Sequence, residues 1–439
     1  MKIFLPESVK NIINTLEING FSAYAVGGCV RDSLLGITPN DWDITTDATP
    51  FDVKKIFAKT FDTGIKHGTV SVLENGEIFE LTTFRCDGEY LDNRRPQSVS
   101  FTNSLEEDLK RRDFTINAMA YNEKQGLMDF FDGAKDLQNR IIRCVGDPDV
   151  RFCEDSLRIL RAVRFAAQKG FEIHEQTLYS IKKNAHLVKN LSVERIISEI
   201  TKILVADPDK IFDLYTLGVL KYIMPEMCLC FETPQNIKWH IYDVGVHSLN
   251  VVKNCEDKPY LRFSALMHDW GKPHTKGKND EGEDTFRNHA KKSVELAEDF
   301  LNKYKFKNSD KDKIIRLIRH HDRELIPEKK YVKRAINSVG EDIFLDLINL
   351  KRADCLSQNL ALTSPRLDFL NKIESLYFEI KENKEVFSVK NLDIDGNDLK
   401  KLGFFGKEIG NTLNSLLDFV IENPEKNKKE ILIEKIKKR

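Results

Sequence analysis

The sequence predicts an α/β head domain, a mixed sheet with helices, followed by three all-α domains. Three observations carry that expectation. Over residues 1–146 short β-prone runs alternate with amphipathic stretches. From 147 onward those runs nearly vanish and apolar residues recur at helical spacing. A chain of 439 residues also exceeds what one core organises. The expected divisions are a head (1–146), a helical neck (147–235), a histidine-bearing helical domain (236–370) and a helical tail (371–439).

Each element has a local reason. PESVKNIINTLEING reads as an amphipathic helix ending at Gly20, and FSAYAVGG as an apolar strand running into a glycine pair. DWDITT is a β-prone strand and FDVKKIFAKT a second helix. GTVSVLENGEIFELTTF holds two β-rich runs around Asn75-Gly76, a hairpin signal. Ser104 with Glu107 has the spacing of a capping box opening a short helix. RFCEDSLRILRAVRF (151–165), EQTLYSIKKNAHLVKN and SVERIISEITKILV carry helical spacing, and Pro225 and Pro234 mark a break. Gly403, Gly406 and Gly410 predict a bent segment in the tail.

Composition narrows the function classes. The chain is 41% hydrophobic and 31% charged, the range of a soluble globular protein. The 68 basic and 69 acidic side chains nearly cancel, so any nucleic-acid surface must be a local basic patch. Eight cysteines include no CxxC pair, which fits neither a zinc ribbon nor a disulfide framework. The start MKIFLPESVKNII lacks the apolar core of a secretory signal, and no run of about 18 apolar residues predicts a membrane span. A reduced cytoplasmic setting is expected.

Gly27-Gly28, between a strand and a short helix, allows backbone N–H groups to approach an anion. Asp41 and Asp43 alternate on a strand, so both carboxylates face one way, as a hard cation such as Mg2+ requires. On a helix, Glu154 with Arg158 and Asp155 with Arg158 first read as ordinary ion pairs.

In this order the motifs GGCVRDSLLG…NDWDITT, KHGTV, ELTTFRCDGEYLDNRRP, SLEEDLKRRDFTINAMAY, MDFFDGAKDL and IIRCVGDPDVRFCEDSLRILRAVRF resemble the nucleotidyltransferase superfamily, in its class II CCA-adding tRNA nucleotidyltransferase and bacterial poly(A) polymerase branch. The resemblance implies an α/β nucleotidyltransferase head. It places catalytic Mg2+ on Asp41 and Asp43, with Glu80 as third carboxylate. Gly27, Gly28 and Arg31 would cradle the nucleotide. Arg111, Arg112 and Asp113, supported by Asn117, would hold phosphate and ribose. Asp155 and Arg158 would accept from and donate to the edge of cytosine or adenine as a protein template, with Glu154 holding Arg158; guanine and uracil place donors and acceptors wrongly. Arg161 and Arg164 would meet triphosphate or RNA. The polar loop CDGEYLDNRRP (86–96) would favour addition of all three nucleotides. The implied activity is template-independent synthesis or repair of the tRNA 3′ CCA from CTP and ATP. Rivals are an A-adding or poly(A)-adding relative, and an HD-type RNA-end phosphohydrolase.

In the third domain LRFSALMHDWGKPH resembles the HD phosphohydrolase signature. That resemblance implies a divalent transition metal on His247, His268, Asp269 and Asp354. His289 and the pair His320 and His321 would support a second ion or phosphate, and Lys272 would meet an anion. His174, His186 and His240 are expected to be ordinary core histidines. The tail resembles the family's tRNA-gripping region.

Overall fold

A computed structural model describes residues 2–88, 98–236 and 238–437. From residue 89 on, the expected polar loop lies outside the described residues. The chain divides into two compact units, 1–223 and 224–439, rather than at 235.

The first unit opens with α1 (Glu7–Ile18), which buries Val9, Ile12, Ile13 and Leu16. Next come β1 (Ala23–Val26), α2 (Gly28–Leu34), β2 (Asp43–Thr46) and α3 (Pro50–Ile56), the last opened by a reciprocal Thr49/Asp52 cap. Strands β3 (Thr60–Gly64), β4 (Thr69–Glu74) and β5 (Glu77–Thr83) follow, and Asn75-Gly76 turns β4 into β5 as its sequence predicts. A hairpin of β6 (Arg85–Asp87) and β7 (Val99–Phe101) precedes α4 (Leu105–Lys110). There Ser104 accepts from the Glu107 N–H without the reverse bond, so only half of the expected capping box forms. The head closes with β8 (Met119–Asn122), β9 (Gly126–Asp129) and α5 (Gly133–Gln138).

The sheet order is β3-β4-β5-β2-β1-β8-β9. It is mixed because β2 and β5 run parallel while the other neighbouring pairs are antiparallel. Tyr24, Val26, Phe84, Leu109, Ala118 and Ala120 form part of the core beneath it. The neck adds β10 (Ile141–Ile142), α6 (Pro148–Glu154), α7 (Leu157–Lys169), β11 (Glu172–Ile173), α8 (Glu175–Asn184), α9 (Val193–Ala206) and α10 (Lys210–Thr216). Helices α7 and α9 pack together, and α7 buries Ile159, Leu160, Ala162 and Val163 completely.

The expected single helix over 151–165 is two. Asp155 ends α6 with extended backbone, Ser156 precedes α7, and the Asp155 carboxylate accepts from the Leu157 N–H. Asp and Ser compete with the helical backbone for hydrogen bonds and favour ends, which accounts for the break.

The second unit contains α11 (Pro225–Phe231), α12 (Val244–Asn254), α13 (Pro259–Met267), α14 (Lys272–Thr275), α15 (His289–Lys303), α16 (Asn308–His320), α17 (Lys329–Val339), α18 (Glu341–Leu356) and α19 (Leu360–Glu382). It is not wholly helical, because β12 (Lys276–Lys278) and β13 (Asp284–Phe286) pair as a short hairpin. Helix α12 packs on α13 and α18, and α16 on α13 and α15. The expected boundary at 370 falls inside the continuous α19. Beyond it are α20 (Gly396–Lys401), α21 (Lys407–Glu422) and α22 (Lys429–Lys437). Gly403 and Gly406 lie in the connection between α20 and α21, whereas Gly410 is inside α21.

Candidate active site and candidate metal centre

Parallel pairing of β2 with β5 sets Asp43 opposite Glu80, and cross-strand partners project from the same face. Asp41 lies two residues before β2 begins. Asp43 keeps an open edge to solvent, yet the protein packed around it pushes its carboxyl above the usual range. Arg112 opposes that shift, and the Asp41 and Glu80 carboxylates add to it. Three acidic groups crowded at one strand end are stabilised by a cation.

Asp41 and Asp43 line a cleft of about 430 Å³ whose other walls are largely arginine. Gly27 sits at φ 80°, and a Cβ there would meet the Arg112 Nη1 at 3.0 Å, so glycine lets that guanidinium lie against the turn. Asp108, fully buried, accepts from Arg111 Nη2 at 2.7 Å and lies 3.4 Å from Arg112 Nη2. It anchors both cations from one turn back on α4.

A buried chain of polar contacts ties the head to α7. Arg31 Nη1 donates to the Asn117 side-chain oxygen at 2.5 Å, and Asn117 Nδ2 donates to Asp113 at 3.1 Å. Arg161 Nε donates to the other Asp113 oxygen at 2.8 Å. Burial works against the Asp113 charge, but Arg161 and Asn117 outweigh it and bring the carboxyl down to about 2. Arg164 pairs with Glu199 of α9. Arg158 is nearly buried: its Nη1 donates to Glu154 at 2.7 Å and to the Arg151 carbonyl, and its Nη2 donates to the Arg111 carbonyl. Asp155 accepts from Arg195 Nη2 at 2.8 Å.

In the second unit, α12 carries His247, the end of α13 carries His268 and Asp269, α15 begins at His289, α16 ends before His321, and α18 carries Asp354. Gly271 has no room for a Cβ against the His289 carbonyl, which explains the glycine of HDWGK. The Nδ1 atoms of His247, His268, His289 and His321 face the carbonyls of Ser357, Ala265, Phe286 and Ile318. With Nδ1 protonated, such contacts direct each Nε2 lone pair inward, the arrangement of histidine ligands.

His247 Nε2 is buried 3.0 Å from Asp354 Oδ1 and 3.8 Å from Asp269 Oδ2, yet forms no well-aligned hydrogen bond. His268 Nε2 is 3.1 Å from Asp269, and His289 Nε2 is 3.1 Å from His321 Nε2. Ligand atoms of His247, His268 and Asp354 converge, as do those of His268, Asp269 and His321. Burial opposes charge on Asp354, but His247 and His268 hold its carboxyl well below the usual range. This donor set of imidazole and carboxylate fits a divalent transition metal. The cluster opens into a cleft of about 740 Å³ that Lys351, Arg323 and Arg366 also line.

Three domain families match in order: the Poly A polymerase head domain over 23–143, the probable RNA- and SrmB-binding site of polymerase A over 170–230, and the HD domain over 243–359. The Bacillus stearothermophilus CCA-adding enzyme, solved in complex with CTP, is 30% identical with a TM-score of 0.73, covering 99% of each chain. The chain belongs to the CCA-adding enzyme family. The family's Ligilactobacillus salivarius member is 51% identical over 209 residues, which are 47% of this chain and 52% of that protein. The Lactobacillus helveticus member is 55% identical over 191 residues, 44% of this chain and 48% of that one. The chain thus spans about half the length of the curated relatives it matches. A Thermotoga maritima CCA-adding enzyme complexed with tRNA has the same fold at a TM-score of 0.60 and 22% identity, over 99% of this chain and 98% of that one.

Every nucleotide-site residue expected from the family motifs lines the first cleft; Glu80 is on the strand beside it. Several are committed differently from the expectation. Asp113, Asp155, Arg158, Arg161 and Arg164 are bound to protein partners rather than left open, so they act within a network. In the second site Lys272 is buried, with Nζ 2.6 Å from Asp269 and 2.8 Å from Gln235. His320 stays outside the cluster, beside Arg316, Arg319 and Arg323, and only His321 enters it.

His240 is not an isolated core residue: its ring stacks edge-on to His247 at 4.7 Å and lines the cleft. His186 is exposed, and His174 contacts Arg143. Sequence reading missed Asp108, Arg195, Glu199 and His240. Asp108 had a signal in its three- and four-residue spacing to Arg111 and Arg112; Arg195 and Glu199 act across helices and had none.

Proposed function

We propose that the chain synthesises or repairs the 3′-terminal CCA of tRNA from CTP and ATP without a nucleic-acid template. What supports this most is one cleft that gathers a carboxylate pair, an arginine wall and the Asp155/Arg158 pair. The relative in complex with CTP supports the nucleotide assignment.

Arg111, Arg112, Arg31, Arg161 and Arg164 supply the positive wall for the triphosphate, while Asp113 and Asn117 orient the wall and face the ribose. Asp155 offers an acceptor and Arg158 a donor fork to the base edge, and Glu154 fixes the fork. The RNA 3′-OH attacks the α-phosphate and pyrophosphate leaves. Asp41, Asp43 and Glu80 would hold Mg2+, which when bound would offset charge on the reacting oxygens. His247, His268, Asp269 and Asp354 would hold a transition metal for hydrolysis of phosphoesters at RNA ends. The division into head, neck, HD and tail parts, and a cytoplasmic location, belong to the same reading; among the described residues no helix is long and apolar enough to cross a membrane.

Purified protein offered tRNA lacking CCA and one NTP at a time is expected to add C from CTP. Addition of A alone would favour the poly(A)-type relative, and no CTP incorporation would sink the CCA assignment.

A further inference from the structure

At the back of the first cleft, one ring collects three cations. Phe165 of α7 is 6% exposed and forms part of the cleft wall. Its centroid lies 3.9 Å from the guanidinium carbon of Arg164, 5.2 Å from that of Arg161 and 5.3 Å from that of Arg31. All three fall within the reach of a cation–π attraction. Arg31 comes from α2 and the other two from α7, so the ring joins cations of separate elements. Phe165 is itself fixed edge-on to Phe114, 5.8 Å away and completely buried, in the residue after Asp113.

Each guanidinium also has a carboxylate: Asp32 for Arg31, Asp113 for Arg161 and Glu199 for Arg164. A carboxylate cancels the charge that it holds. A ring face attracts a cation without neutralising it further, so the ring adds position to charges the carboxylates already share. Three like charges this close repel, and a shared aromatic surface offsets part of that cost beside the carboxylates.

We propose that Phe165 is a positioning residue for the nucleotide triphosphate, its ring holding Arg31, Arg161 and Arg164 as one anion-binding wall. The inference rests on the reading that this cleft binds CTP and ATP.

The test is steady-state addition to tRNA lacking CCA by wild type, Phe165→Leu and Phe165→Tyr, with tripolyphosphate as a base-free competitor. Leucine keeps an apolar side chain and removes the ring. Phe165→Leu should raise KM for CTP and ATP alike by about three- to tenfold. Its kcat should stay within about twofold, its preference among bases should be unchanged, and tripolyphosphate inhibition should weaken by the same factor. Phe165→Tyr should restore KM to within about twofold of wild type.

Wild-type KM in Phe165→Leu, or an equal loss in the Leu and Tyr variants, would overturn the proposal. Calorimetric CTP binding separates it from the function on which it rests. A wild type that binds CTP but adds no nucleotide refutes the function, while weaker CTP binding by Phe165→Leu still supports the ring's role. A wild type that binds no CTP refutes both.

Discussion

In the head cleft Arg31, Arg111, Arg158, Arg161 and Arg164 each end on a protein carboxylate, carbonyl or amide oxygen, whereas in the histidine cluster the outer ring nitrogens are pinned and the inner ones converge. The first site carries compensated charge, held in place before any ligand arrives. The second concentrates imidazole lone pairs beside the buried Asp269 and the partly buried Asp354, with the Lys272 ammonium set against Asp269. A preorganised network suits an anionic ligand that comes and goes; converging lone pairs suit a resident metal.

The largest effect expected from this contrast is on catalysis. Asp41→Ala with Asp43→Ala should lower nucleotide addition on the order of 10³-fold or more, with melting temperature preserved. Retained addition would remove the head as the catalyst. Next, Asp269→Ala should cost at least about tenfold in bound transition metal, read by elemental analysis, while CTP addition stays within about twofold. Equal metal content in variant and wild type would erase the distinction between the sites. Hydrolysis of a 2′,3′-cyclic nucleotide by wild type and not by the variant would extend it to activity.

The smallest effect is on stability. The folded Asp113 carboxyl sits at about 2, below its unfolded value, so its contribution is fully present above about pH 4 and is lost as pH falls from about 4 towards 2. Asp113→Asn should therefore cost on the order of 2 kcal/mol near neutrality. The two proteins should converge over that acid window, as followed by denaturant unfolding. A pH-independent difference would mean that Asp113 contributes through packing instead of charge.

How much of this was legible follows the range of each interaction. The Asn75-Gly76 turn and the glycine pair before α2 act within a few residues, and the sequence displays them directly, whereas the strand expected to carry both Asp41 and Asp43 begins only at Asp43. The helix break at Asp155-Ser156 was also local, written in two end-favouring residues but masked by continuous apolar spacing on either side. The Asp43–Glu80 register, the Arg195–Asp155 contact and the stacking of His240 on His247 join distant segments, which spacing along one chain does not reveal. The family motifs named residues that the structure gathers at both clefts, but not Asp108, Arg195, Glu199 or His240, and they included His320, which stays outside. They did not reveal that Asp113 and Arg161 spend their charges on each other.

The central claim is that protein side chains choose the nucleotide, and selectivity in Arg158→Ala tests it most directly. The measurement is kcat/KM for each of the four NTPs on tRNA lacking CCA, beside wild type and with melting temperature as a control for folding. The preference for CTP and ATP over GTP and UTP should shrink roughly ten- to a hundredfold, the scale of one lost two-pronged base contact. An unchanged preference in a folded, active variant would contradict the claim.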